Sequence, residues 1–411
     1  METNKSTQPA SSSLPPRMDT LKFEDTEVAF AAKSNAELKQ AYQLFRLIDR
    51  PFLMTVGKHF TRFALNVGLP IKGAIKATIF KQFCGGETIS ECAKTMQRLA
   101  LYDIGSILDY AVEGTDKEEE FDSIADEIIH TIDTAKENDH IPFSVFKPSA
   151  ISDTGILTKV SRGEELTEKE NTGYLQFRDR VDRICAHAHA SGVPLFIDAE
   201  ESWYQKALDE LVMDMMRKYN RERAIVYNTL QMYRHDRIAH MKDSYATAEK
   251  EGFVYALKLV RGAYMEKERD RAEKHGYPSP IQPDKPATDR DFNAAVMFSL
   301  DHIERMAVCV GTHNEDSCLL MADEMEKRGL DKRDPRLYFA QLYGMSDHIS
   351  YNLSKAGYNV AKYVPYGPVK KVMPYLIRRA EENTSVKGQS GRELRLIRRE
   401  LNRRKKSGRR R

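Results

Sequence analysis

The sequence contains no apolar run of the ~18 residues that a membrane-spanning helix requires. A helical integral membrane protein is excluded on that ground, and any membrane contact would be peripheral. Its five cysteines, Cys84, Cys92, Cys185, Cys309 and Cys318, are odd in number, widely spaced and never in C-x-x-C pairs, which points to a reducing compartment. The H-E-x-x-H signature is missing too, so no metal site is expected. Neither G-x-G-x-x-G nor G-x-x-x-x-G-K-[ST] occurs, which removes the standard Rossmann and P-loop nucleotide sites. The opening stretch METNKSTQPASSSLPPRMDT lacks the apolar core of a secretion signal and holds one arginine where a mitochondrial presequence usually has several. Residues 1–35 are therefore expected to form a disordered polar tail.

What is present is a chain of 411 residues, 41% hydrophobic and 30% charged, with acids and bases interspersed. That is the profile of a soluble globular protein, long enough for two domains or for one α/β barrel with extra helices. Net charge is +3, yet Gly391–Arg411 carry eleven Lys or Arg against Glu393 and Glu400, so the other 390 residues sum to about −6. Residues 391–411 read as a basic C-terminal tail that can engage nucleic acid or an anionic membrane surface, or stand as a solvated extension.

Residues 36–100 have helical texture: AELKQAYQLFRLID repeats apolar residues at the helical period, and Thr88 is placed to cap TISECAKTMQRLALYD. From Gly105 onward the texture changes to short β-branched runs, each followed by an amphipathic stretch. The runs are SILDYAVEG, FSVFKPSA, PLFIDAE, AIVYNTLQM, YALKLVRG, MAVCVGTHN, LYFAQLYG and NVAKYVPYG. Near-continuous apolar strands alternating with helices imply right-handed crossovers and a parallel sheet. Eight in succession make a closed (β/α)8 barrel over residues 101–390 the economical reading, with a doubly wound open sheet as the alternative.

Polar residues gather at the C-terminal ends of these runs: Lys147, Asp198 and Glu200, Gln231, Lys258 and Arg261, Thr312-His313-Asn314, and Tyr363. Active sites of parallel barrels lie at that end. Gly262 and Ala263 are small enough for a planar ligand to approach the backbone, Tyr264 follows them, and a cation beside a flat cofactor can stabilise charge as it is reduced. In YLIRRAEENTS, helical spacing puts Tyr375, Arg378, Arg379 and Glu382 on one face. That face is either a solvated stripe with a weak ion pair or a guanidinium clamp for a carboxylate.

The elements KLVRGAYMEKER, TDRDF, THN, LYGM, YVPYG and YLIRRAEEN occur in the order found in proline dehydrogenases, and from about Leu101 to Ser385 the chain resembles that family. The resemblance implies a distorted (β/α)8 TIM barrel with additional N-terminal helices. It implies an FAD enzyme oxidising L-proline to Δ1-pyrroline-5-carboxylate by hydride transfer to the flavin N5, with electrons passed to a quinone. In the family the eighth helix lies over the barrel mouth.

By the same resemblance, Arg378, Arg379 and Lys147 bind the proline carboxylate, Asp198 stands beside that lysine, and Tyr264, Leu342, Tyr363 and Tyr375 shape the ring pocket. Ala199, Gln231, Lys258, Gly262, Ala263, Tyr264, Thr312, His313 and Asn314 match flavin-contacting positions, Thr288 lies near the adenosine end, and Glu382 steadies the helix through the arginines. Asp198 and Lys258 are the residues expected nearest the chemistry. Many bacterial relatives carry arginine where this chain has Lys258, which keeps the charge but replaces a planar fork by a point donor. The chain ends soon after the barrel, so the form fused to an aldehyde dehydrogenase is not expected.

Two rival readings remain: a Schiff-base aldolase barrel using Lys147 or Lys258, and a barrel sensor tethered to nucleic acid or membrane by its basic tail. Nucleic acid is the less favoured partner; peripheral membrane contact fits a quinone acceptor. The expected location is cytoplasmic or peripheral on the inner membrane, with the mitochondrial matrix as the alternative.

Overall fold

In the computed structural model, which describes residues 21–48, 72–111, 118–385 and 389–408, each of the eight apolar runs contains one strand. They are β1 (Gly105–Tyr110), β2 (Phe143–Phe146), β3 (Leu195–Ile197), β4 (Val226–Gln231), β5 (Tyr255–Val260), β6 (Met306–Gly311), β7 (Leu337–Leu342) and β8 (Val360–Tyr366). All pair in parallel in sequence order, and β8 pairs with β1 to close the barrel, Tyr363 lying opposite Ile107. The open-sheet alternative is thereby overturned. Burial on both faces explains why the strands read as unbroken apolar runs rather than as alternating ones.

Inside the barrel the two-residue period of a strand becomes a chemical gradient. Ile107, Phe143, Val145, Phe196, Tyr227, Ala256, Ala307, Cys309, Ala340, Ala361 and Tyr363 form one interior cluster. Two residues beyond these, toward the C-terminal ends, the same inward columns reach Asp109, Lys147, Asp198, Thr229 and Lys258, all of which line one cavity. Phe143 and Phe196 stack with centroids 4.3 Å apart below them, so the polar layer has a dry floor. The outer faces of the strands belong to a second, larger cluster shared with the surrounding helices.

A third cluster lies outside the barrel. Phe30, Leu38, Phe45, Phe80 and Phe83 from the N-terminal segment pack with Val372, Leu376 and Ala380 around helix Met373–Ser385, and with Leu396 and Ile397 of helix Gln389–Gly408. Burying each of these phenylalanines stabilises the assembly by roughly 1.5–3 kcal/mol.

Both ends of the chain differ from expectation within the described residues. Residues 1–20 lie outside them. Leu21–Asn35, assigned above to a disordered tail, contains helix Thr26–Ala29 capped by Asp25, with Phe23 and Phe30 buried. Residues 391–408, read as a tail, are helical and docked. Glu393, Leu396, Ile397, Glu400 and Arg404 recur at helical spacing and make its inner stripe. Glu400 is fully buried, receiving bonds from Thr26 (3.0 Å), Arg403 (2.8 Å) and Arg404 (2.6 Å). Arg404 also donates to the carbonyls of Phe30 (2.8 Å) and Lys33 (2.7 Å). The two acids of the basic block thus anchor it, while Arg395, Arg399 and Lys405 remain outward.

Candidate active site

The C-terminal mouth of the barrel holds a cavity of about 630 Å³. Its lining includes Lys147, Asp198, Ala199, Gln231, Lys258, Gly262, Ala263, Tyr264, Thr312, His313, Asn314, Leu342, Tyr363, Tyr375, Arg378 and Arg379. Helix Met373–Ser385 therefore lies over the mouth, because its arginines meet the same space as the strand ends. One expected residue, Thr288, is not in the lining, and the place of another, Glu382, is not described. Thr288 sits on helix Lys285–Asp301 with its hydroxyl turned to the Asp284 carbonyl (3.2 Å), and its neighbour Lys285 lines the cavity instead. The backbone of Glu382 belongs to the helix, but its side chain lies outside the described residues.

An alternating row of charges crosses the cavity floor. The Lys147 ammonium donates to both oxygens of Asp109 (2.9 and 3.0 Å) and stands 4.0 Å from Asp198. Asp198 accepts in turn from Lys258, whose ammonium also reaches the Tyr363 hydroxyl at 2.6 Å. Lys258 lies 4.6 Å above the Tyr363 ring and 5.3 Å from that of Phe196, so aromatic faces stabilise a cation that is only 4% exposed. Burial pushes the Tyr363 phenol well above its ordinary range, with Asp198 adding to the shift, so it stays neutral.

Above this row, Arg378 lies 5.5 Å over the Tyr264 ring and Arg379 5.2 Å over that of Tyr375. The aromatic residues thus hold guanidiniums and wall the cavity at once.

On the far side the loop after β5 is fixed by Arg261, which donates to Asp289 (2.8 Å), Thr312 (2.6 Å) and Ser317 (2.9 Å) and stacks on Phe292. Gly262 takes φ +127°, and a Cβ there would overlap the Tyr233 ring. Asn314 caps helix Glu315–Lys327 by accepting from Ser317 (2.9 Å). Burial, then Lys362 and Arg379, depress the His313 imidazole to about 3, so it is neutral and shares a hydrogen bond with Ser346 (2.9 Å). Burial opposes ionisation of Glu315, yet bonds from His348 (3.1 Å) and Arg392 (2.8 Å) hold its carboxyl at about 2.

Asp109, Thr229, Gln341 and Arg392 line the cavity without having been singled out. Asp109 left a trace in the sequence, a lone acid in SILDYAV two residues past Ile107. Arg392 left none, since only docking of the last helix brings it here.

The match to known proteins follows this geometry. Residues 92–392 fit a family model described as proline dehydrogenase. The chain is 33% identical to proline dehydrogenase 1, mitochondrial, of Dictyostelium discoideum, an alignment covering 92% of this chain and 74% of that one. It is 32% identical to hydroxyproline dehydrogenase of Xenopus laevis, over 93% and 90% of the two chains. It is 36% identical to carbapenem antibiotics biosynthesis protein CarD of Pectobacterium carotovorum subsp. carotovorum, over 81% and 86%. Among solved structures it is similar to proline utilization A from Bdellovibrio bacteriovorus, with a TM-score of 0.69 at 20% identity over 88% of this chain and 38% of that one. At that identity the likeness concerns the fold, and the chain spans about two fifths of that longer protein.

Proposed function

The chain belongs to the proline dehydrogenase family, and from that premise we propose that it binds FAD at the barrel mouth and oxidises L-proline to Δ1-pyrroline-5-carboxylate. The observation that carries the reading is the convergence of Arg378, Arg379 and Lys147 with Lys258 and Tyr363 on one cavity. The residues present fit a flavin. The Gln231 amide oxygen and the Thr229 hydroxyl are buried on the cavity wall without a hydrogen-bond partner among the described residues, which is the condition of groups that await a ligand. Gly262 and Ala263 line the cavity with little or no side chain, which suits the approach of a flat ring to their backbone. Lys258, Thr312, His313 and Asn314 would complete its polar contacts.

FAD, when bound, supplies the hydride acceptor. The protein's own work is orientation. Arg378, Arg379 and Lys147 fix the substrate carboxylate by charge-assisted bonds, and Tyr264, Leu342, Tyr363 and Tyr375 confine the ring, so that one C–H bond is presented in one direction. The substrate amine loses a proton and the adjacent carbon a hydride, two electrons and two protons in all. A quinone is the proposed acceptor, and with several relatives named mitochondrial the mitochondrial matrix becomes the favoured compartment. Among the described residues no helix is long and apolar enough to cross a membrane.

The aldolase reading fits less well, because Lys147 and Lys258 are each engaged by a carboxylate, Asp109 and Asp198, that stands where a carbonyl carbon would have to approach the nitrogen. Between proline and its hydroxylated form, the buried Tyr363 at the ring pocket favours proline, since a ring hydroxyl would crowd it.

The purified protein loaded with FAD should lose its flavin absorbance when L-proline is added without oxygen. A protein that cannot be loaded, or whose spectrum ignores proline, refutes the proposal.

A further inference from the structure

Lys147 and Asp198 face each other across the cavity floor, and each is followed two residues later by one half of a buried clasp. Glu200, 4% exposed, accepts from the Ser149 backbone N–H (2.8 Å) and shares a 2.5 Å bond with the Ser149 hydroxyl. Neither residue lines the cavity. Their segments do: Lys147 opens the short turn Pro148–Ala150, and Ala199 links Asp198 to Glu200.

The clasp is anchored from behind. The Glu200 N–H donates to the Gln205 side chain (3.0 Å), which donates to Asp209 (3.0 Å), itself bound by Arg237 (2.7 Å) and Asn228 (3.0 Å). The loop after β3 is thus tied to the barrel wall and, through Ser149, holds the loop after β2.

We propose that Glu200 is a positioning residue for substrate binding, its carboxyl clasping Ser149 and so setting the Lys147 ammonium between Asp109 and Asp198, where the substrate carboxylate must dock. This rests on the proline reading above. Glu200 has no salt-bridge partner among the described residues, and a buried carboxyl of that kind is costly unless its bonds are made in full; here both oxygens are used, which accounts for its retention so close to the site.

The charges around Glu200 give the clasp a readable signature. Glu201 precedes helix Ser202–Tyr219, Tyr204 faces from that helix, and Lys147 faces from the end of β2. Burial, then Glu201, raise the Glu200 carboxyl to about 8, against the pull of Ser149 and Lys147. Near neutrality it carries its proton and can donate to the Ser149 hydroxyl while its other oxygen accepts from the N–H. Above that point it adds a negative charge beside Lys147 and competes with the substrate carboxylate.

The test uses the FAD-loaded enzyme and its E200A, S149A and E200Q variants. KM and kcat for proline are followed from pH 6 to 9.5, alongside Kd for cyclopentanecarboxylate from the flavin difference spectrum. One or two lost bonds of about 1–1.5 kcal/mol predict KM and Kd roughly tenfold higher in E200A and S149A, with kcat within about threefold. E200Q, which keeps one donor and one acceptor, should stay within about threefold of the parent at pH 7. It should also lack the parent's rise in KM above pH 8. Parental KM and Kd in E200A, or a full alkaline rise in E200Q, overturns the proposal. E200Q decides alone if E200A does not fold. Failure of proline to bleach the unaltered enzyme would instead sink the functional reading, while Kd for the carboxylate still reports on the clasp.

Discussion

Replacing Arg379 by methionine separates the clamp from the scaffold. Arg379 is 7% exposed and Arg378 about half-buried, both on the cavity side of helix Met373–Ser385. Methionine keeps an unbranched stem over the Tyr375 ring, so packing survives and the charge is lost. A hydrogen bond between charged groups in a partly dry site contributes about 1.5–3 kcal/mol. At 1.4 kcal/mol per factor of ten, KM for proline should rise roughly 10- to 150-fold. Solvent screens Arg378 more, so R378M should fall at the low end and R379M at the high end. Because the tyrosines still confine the ring, kcat should change by less than about threefold, the pattern of lost ground-state binding. Steady-state kinetics with an artificial acceptor and an anaerobic flavin titration give KM and Kd independently, with circular dichroism as the fold control. A KM for R379M within about threefold of the parent, or a larger effect of R378M, would refute the carboxylate-clamp geometry.

Lys362, 1% exposed on β8, bonds Asp347 (2.9 Å) and the Met345 carbonyl (2.7 Å), while Lys33 holds the other Asp347 oxygen at 2.8 Å. K362M leaves a buried carboxylate half-neutralised and should cost about 3–5 kcal/mol, read as a lower urea midpoint at unchanged slope; an unmoved midpoint counts against it. Glu315, held at about 2 by His348 and Arg392 against burial, contributes stability above its ordinary range, lost as pH falls from about 4.5 toward 2. Its side chain is 28% exposed, so E315Q should cost less than ~3 kcal/mol at pH 6, and the gap should shrink to roughly half or less by pH 3 and close only toward pH 2. A gap independent of pH would mean that Glu315 acts through packing. G262A forces a Cβ into the Tyr233 ring at φ +127° and should prevent flavin loading while the barrel still folds, measured as the flavin-to-protein absorbance ratio. Full loading would show that the β5 loop yields.

The barrel was legible because its physics is local. Eight short, mainly apolar runs, each followed by an amphipathic stretch, read as buried strands, and the polar residues toward the C-terminal ends of four of them, Lys147, Asp198, Gln231 and Lys258, are ones the inward columns carry to the cavity. Asp109 could have been read the same way but was passed over as part of an apolar run. Leu21–Asn35 and residues 391–408 depart from the expected tails because composition was weighed before period. Eleven cations in 21 residues suggested a solvated tail, whereas Glu393, Leu396, Ile397 and Glu400 mark a docked stripe. Thr288 was placed by its neighbourhood in the sequence, and neighbours along a helix point to different faces, so Lys285 reaches the cavity lining and Thr288 does not.

The arginine face of helix Met373–Ser385 was undecidable from spacing for a different reason. A solvated polar stripe and one turned into a polar cavity have the same periodicity; they differ only in what covers the helix's other side. Leu376 and Ala380 are fully buried in one cluster with Phe80 and Phe83, residues about 300 positions earlier. It is this long-range apolar contact that presses the helix over the mouth. Arg392, one helix later, binds Glu315 and lines the same cavity, while Arg404 on that helix is tied to the carbonyls of Phe30 and Lys33. The N-terminal segment therefore belongs to the active site mechanically, although none of its described residues is in the lining. Loosening it should weaken the grip on the carboxylate before it disturbs the strand-end charges, because those are fixed by the barrel and the clamp is fixed by the shell.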